Sequence, residues 1–128
     1  MDRLTGAAFF ARENACCAYS HFKVGAALED ESGRIHTGCN VENASYGLTV
    51  CAERVAVWKA VSEGARTFRR IVIAAGGNKL APPCGACRQI LWEFCGNIEV
   101  VLVNPRGESR SLRMADLLPE PFDDKVFL

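Results

Sequence analysis

A chain of 128 residues, 49% hydrophobic and 23% charged, can build one domain with a real core and is too short for two, so residues 1–128 are expected to form a single domain. Fifteen Lys and Arg balance fifteen Asp and Glu, which argues against nucleic acid as a partner, because a phosphate backbone selects for surplus positive charge. No apolar run approaches the roughly 18 residues of a membrane span, the N-terminus lacks the order of a secretory signal, and the cysteines number an odd seven; the expectation is a cytoplasmic protein, with no membrane partner, whose thiols are buried or on a metal.

In chain order, Leu4, Ala8, Ala11, Ala15 and Ala18 share one face and predict a helix over residues 2–18 with a narrow, small-residue stripe. Cys16 and Cys17 near its end read as buried small hydrophobes. Phe22, Val24, Ala26 and Leu28 alternate as in a strand, residues 29–34 hold the turn signal Ser32-Gly33, and residues 34–41 read as the returning strand of a hairpin. Asn40 and Glu42 stand two apart at the end of that strand and so face the same way. A loop then delivers the chain to Cys51. Val55, Trp58 and Val61 recur at helical spacing up to Gly64, so a helix starts at Cys51; its nearly all-round apolar coat predicts cover on more than one side, from its own domain or another subunit. Residues 71–75 and 98–103 are almost continuously apolar, the pattern of strands buried on both faces. Between them Cys84, Cys87, Leu91, Phe94 and Cys95 repeat the helical rule and Gly96 closes it, giving a strand–helix–strand crossover with parallel strands. Residues 109–113 read as an edge strand and residues 114–118 as a short helix. The tail from Glu120 holds Phe122 and Phe127 without a period and reads as a segment that wraps the domain or reaches a neighbour.

Both cysteine-bearing helices begin at a thiol, where free N–H groups and the helix dipole favour thiolate. Cys51, Cys84 and Cys87 together supply what a catalytic zinc needs from a protein if its fourth tetrahedral position is to stay open for water. Glu53, two residues beyond Cys51, is the carboxylate that can work on that water. Three thiolates on one divalent ion leave a negative centre and a weak Lewis acid, so Arg54 is the candidate guanidinium to offset it, with Arg88 sharing the task. Asn40 beside Glu42 can hold a vicinal diol. Two rivals stay open at this point. Cys84-Gly85-Ala86-Cys87 also fits a thiol–disulfide motif with Cys84 as nucleophile, which leaves Cys51-Ala52-Glu53 without a task; a structural zinc module leaves Glu53 without one. His21, His36, Cys39 and Cys95 read as structural.

Five blocks in order, Tyr19-Ser20-x-Phe22-x-Val24-Gly25-Ala26-Ala27, Gly38-Cys39-Asn40-Val41-Glu42-Asn43-Ala44-Ser45-Tyr46-Gly47, Cys51-Ala52-Glu53-Arg54, Pro83-Cys84-Gly85-Ala86-Cys87-Arg88-Gln89 and Leu117-Leu118-Pro119-x-x-Phe122, resemble the cytidine deaminases of the short-chain, three-cysteine type. The resemblance spans nearly the whole chain. It implies a three-layer α/β fold with a mixed, five-stranded sheet. It implies Zn2+ on Cys51, Cys84 and Cys87, and Glu53 carrying a proton from the activated water to N3 of cytosine and on to the departing amine. It further implies that Asn40 and Glu42 bind the ribose hydroxyls, that backbone groups of Ala44 and Ala52 read the pyrimidine, and that Phe22 stacks on it. Phe122 would come from an adjacent subunit of a homotetramer. The implied substrates are free cytidine and deoxycytidine, in pyrimidine salvage. A nucleoside-antibiotic deaminase should lack the Asn40-Val41-Glu42-Asn43 block, which is intact here. Ala18 stands where such proteins often have Pro.

Overall fold

The structure, a computed structural model, describes residues 2–128. Its sheet is organised around β3 (Phe68–Ala75), an apolar strand covered on both faces. β3 pairs antiparallel with β1 (Val24–Asp30) and parallel with β4 (Glu99–Val103). β2 (Ile35–Cys39) and β5 (Ser109–Arg113) close the two edges antiparallel, giving the order β2-β1-β3-β4-β5. The parallel pair is the crossover expected from the sequence, with α3 (Gly85–Cys95) between its strands.

Period-two alternation sorts β3 between two cores. Ile71 and Ile73 pack with Leu28, Val100 and Leu102 against Ala56 and Val57 of α2 (Ala52–Ser62) and Leu91 of α3. Val72 and Ala74 face the other way, with Leu4 and Ala8 of α1 (Arg3–Arg12). The fold is therefore α/β in three layers, with a mixed five-stranded sheet between one helix and two.

Two contacts depend on glycine because helix backbone meets strand backbone. A Cβ on Gly25 would stand 2.1 Å from the Ala8 carbonyl oxygen, and one on Gly38 would stand 2.4 Å from that of Ala52. Gly38 thus lets the first turns of α2 lie directly on β2. At the other end of α2, buried His36 has Nδ1 3.0 Å from Glu63 Oε1 and Nε2 2.9 Å from Asp30 Oδ2. That link ties the hairpin to the end of the helix.

Three sequence expectations are corrected. The first helix ends at Arg12, although Ala15 and Ala18 continue its period. The main chain there finds other partners: Cys16 N–H donates to the Asn40 carbonyl at 2.9 Å, and Glu42 N–H to the Cys16 carbonyl at 2.8 Å. Pulled out to make this bridge, Cys16 is exposed rather than buried. The first hairpin strand starts at Val24, because the Asn40 side chain takes the Phe22 carbonyl at 2.8 Å and the Val24 N–H at 2.9 Å. Phe22 lies outside the ladder. The helix at Met114–Leu117 and the edge strand fall where their patterns put them.

Candidate active site

Cys51 is the N-cap of α2 and Cys84 the N-cap of α3, with Cys87 one turn into α3. The two helix starts converge. The three sulfurs lie within 4.8 Å of one another, Cys51 to Cys84 at 3.9 Å and Cys84 to Cys87 at 3.5 Å. Tetrahedral zinc with Zn–S bonds of about 2.3 Å sets its thiolates about 3.8 Å apart, so the donor set fits that ion. The electrostatics agree. Hydrogen bonding from Cys87, assisted by Arg54 and Cys84, brings the Cys51 thiol down to about 5. Its hydrogen bond to Cys51, together with burial, pushes Cys87 up. The cluster thus favours a thiolate at Cys51, beside the two other sulfurs.

The two arginines part company. Arg54, one turn into α2, donates from Nη2 to Cys51 Sγ at 3.4 Å. Arg88 donates instead to main chain, from Nε to the Pro83 carbonyl at 2.8 Å and from Nη1 to the Leu117 carbonyl at 3.0 Å. It ties the start of α3 to the C-terminal helix α4 (Met114–Leu117).

Glu53 sits in the first turn of α2, 5% exposed. Burial, with the neighbouring Cys51 charge, pushes its carboxyl up to about 7. It lines a cavity of about 250 Å³ with Cys51, Cys84, Phe22, Asn40 and Glu42, which has room for a ring of pyrimidine size. Ala52 lines it too, at the helix start where N–H groups have no partner within the helix. The cavity wall therefore presents two thiols of the cluster, a buried carboxyl, an aromatic, an amide and a second carboxylate.

Of the residues expected at the site, Ala44 and Phe122 do not line this cavity within one chain. Phe122 is 59% exposed and meets Phe127 edge-on at 5.6 Å, while its carbonyl accepts from Gln89 Nε2. Other lining residues escape sequence reasoning. Val50, Ile73, Ala81 and Pro82 complete the wall, brought in by the loop before α2, by β3 and by the loop before α3. Ser20 is a further one, marked in the sequence by its place beside Tyr19 in the first of the five blocks.

Comparison with known proteins agrees with this geometry. Residues 2–104 match the family model for the zinc-binding region of cytidine and deoxycytidylate deaminases. A cytidine deaminase of Sporosarcina psychrophila is 46% identical over 123 residues, covering 95% of this chain and 90% of that protein. One from Halalkalibacterium halodurans is 47% identical over 125 residues, covering 95% of each. The crystal structure of cytidine deaminase from Burkholderia pseudomallei superposes with a TM-score of 0.90 at 47% identity, over 95% of this chain and 100% of that one.

Proposed function

The chain belongs to the family of cytidine and deoxycytidylate deaminases, and from that premise we propose that it hydrolyses the exocyclic amine of cytidine, and of deoxycytidine, to give uridine or deoxyuridine and ammonia in pyrimidine salvage. One observation carries the reading: a buried carboxyl, Glu53, shares a pyrimidine-sized cavity with Cys51 and Cys84, two of three clustered thiols. Zinc on Cys51, Cys84 and Cys87 supplies the Lewis acidity that makes a water acidic near neutral pH.

Glu53 takes a proton from the attacking water and gives it to N3 of the base as oxygen adds at C4. It then takes the proton of the new C4 hydroxyl and passes it to the amine, which leaves as ammonia while the C4 carbonyl forms. A carboxyl titrating near 7 is suited to both halves of that shuttle. Arg54 draws charge from the Cys51 sulfur and so limits how far three thiolates weaken the metal as an acid. Phe22 stacks on the base, and Asn40 and Glu42 meet the ribose hydroxyls. Main-chain groups of Ala44 and Ala52 read the base edge.

The active form is a homotetramer in which Phe122 of the partner subunit completes the cavity. Exposed Phe122 and the half-exposed Trp58 on α2 support association. No helix among the described residues is long and apolar enough to cross a membrane, and we place the enzyme's work in the cytoplasm.

The test is the ultraviolet spectrum of cytidine incubated with zinc-loaded and zinc-stripped protein. Conversion to uridine that disappears on stripping is expected. A sample holding one zinc per chain that leaves cytidine and deoxycytidine intact overturns the reading.

A further inference from the structure

Glu42 stands on the wall between two cavities. One is the 250 Å³ space above the thiols; the other, of about 300 Å³, is bounded by Tyr19 and Tyr46, and both include Ser20, Glu42 and Thr49 in their lining. A free carboxylate at such a boundary has a choice of orientation. Here the choice is removed. Glu42 Oε1 accepts from the N–H groups of Tyr19 and Ser20, each at 3.0 Å, and Oε2 accepts from the Ser20 hydroxyl.

The same hydroxyl oxygen accepts from Phe22 N–H at 3.1 Å. Ser20 therefore forms a relay, Phe22 N–H to Ser20 Oγ and Ser20 O–H to Glu42 Oε2, joining the aromatic and the carboxylate that line the cavity. The Glu42 carboxyl is held below its ordinary range, chiefly by the Ser20 hydroxyl, so it stays ionised with its remaining lone pairs free to accept from a ligand.

We propose that Ser20 is a positioning residue for substrate binding, aiming the Glu42 carboxylate at the sugar and holding Phe22 in register with it. The inference rests on the reading of Glu42 as a sugar-hydroxyl acceptor, and extends it to the residue whose hydroxyl holds that carboxylate. Losing one charge-assisted hydrogen bond corresponds to a roughly tenfold loss of affinity. Because the interaction serves bound substrate and transition state alike, the loss falls on KM rather than kcat.

The experiment compares steady-state kinetics of zinc-loaded wild type, Ser20→Ala, Ser20→Thr, Glu42→Gln and the Ser20→Ala/Glu42→Gln double variant on cytidine. Ser20→Ala is expected to raise KM roughly tenfold, Ser20→Thr to restore most of it by returning the hydroxyl, and the Ser20→Ala penalty to shrink toward nothing when Glu42 is already Gln. A Glu42→Gln penalty with an unchanged KM in Ser20→Ala refutes the positioning role and leaves the sugar contact standing. Full additivity of the two penalties also refutes it. An unchanged KM in Glu42→Gln removes the sugar contact itself, and the inference goes with it.

Discussion

At the scale of single residues, the division of labour follows from burial and charge. Glu53 is the buried carboxyl of the cavity, and its chemistry needs a proton that can be taken and returned. Glu53→Gln, nearly isosteric, is expected to retain one zinc per chain and to lose about 10³-fold or more in kcat; metal analysis beside steady-state kinetics checks both halves. Arg54 acts through sulfur. Its Nη2 donates to Cys51, while its buried Nε has no partner among the described residues, so the side chain is held at the cluster with part of its hydrogen-bonding capacity unspent. Arg54→Gln should preserve the melting temperature within a few degrees and lower kcat by about tenfold or more, since the sulfurs then donate their full charge to the metal. Arg88 instead holds two main-chain carbonyls, so its loss is expected to fall on stability and that of Arg54 on kcat.

At the scale of elements, the site is a junction of two helix starts held by what lies beneath them. Gly38 is where β2 and α2 touch backbone to backbone, and Gly38→Ala would drive a methyl group into the Ala52 carbonyl and the Ala56 nitrogen. Because both neighbours are main chain, relief requires moving the helix that carries Cys51 and Glu53. The expected cost is about 3 kcal/mol, read as a fall in thermal midpoint, with zinc affinity falling too. The hairpin is tied to the far end of α2 by Asp30 and His36. Asp30 is held well below its ordinary value of 3.8, first by His36 and then by Ser32 and the Arg34 and Ser32 N–H groups. A carboxyl depressed in the folded state adds stability that is fully present above its unfolded value and is lost as pH falls toward its folded value. The melting temperature of the wild type should therefore drop more steeply below about pH 4 than that of Asp30→Asn; equal slopes in the two proteins would rule out this link as an acid-sensitive one.

At the scale of the whole molecule, the metal completes what the fold begins. Three thiolates from two helices gain their partner only when α2 and α3 are docked on the sheet, so zinc binds the folded state in preference to the unfolded one. Removing it with a chelator should lower the thermal midpoint, and adding it back should restore both midpoint and activity; a midpoint indifferent to zinc would mean the cluster holds no structural metal. Much of this was legible beforehand. The Cys51 and Cys84 helices, the apolar strands β3 and β4 and the edge strand β5 were marked by local signals, since period, terminal glycine and ligand spacing are properties of neighbouring residues. The sequence by itself therefore determined which three cysteines come together, the carboxylate beside them and the strand–helix–strand crossover. Only the tertiary structure decided where α1 stops, because Cys16 exchanges its helical bonds for Asn40 and Glu42, far along the chain. It also decided that Arg54 rather than Arg88 reaches a thiolate, and that Ser20 holds Glu42. Cys16, Ser20 and Arg88 find partners about twenty to thirty residues away, while Arg54 finds Cys51 three residues back, and no local period says which of its possible partners each side chain takes.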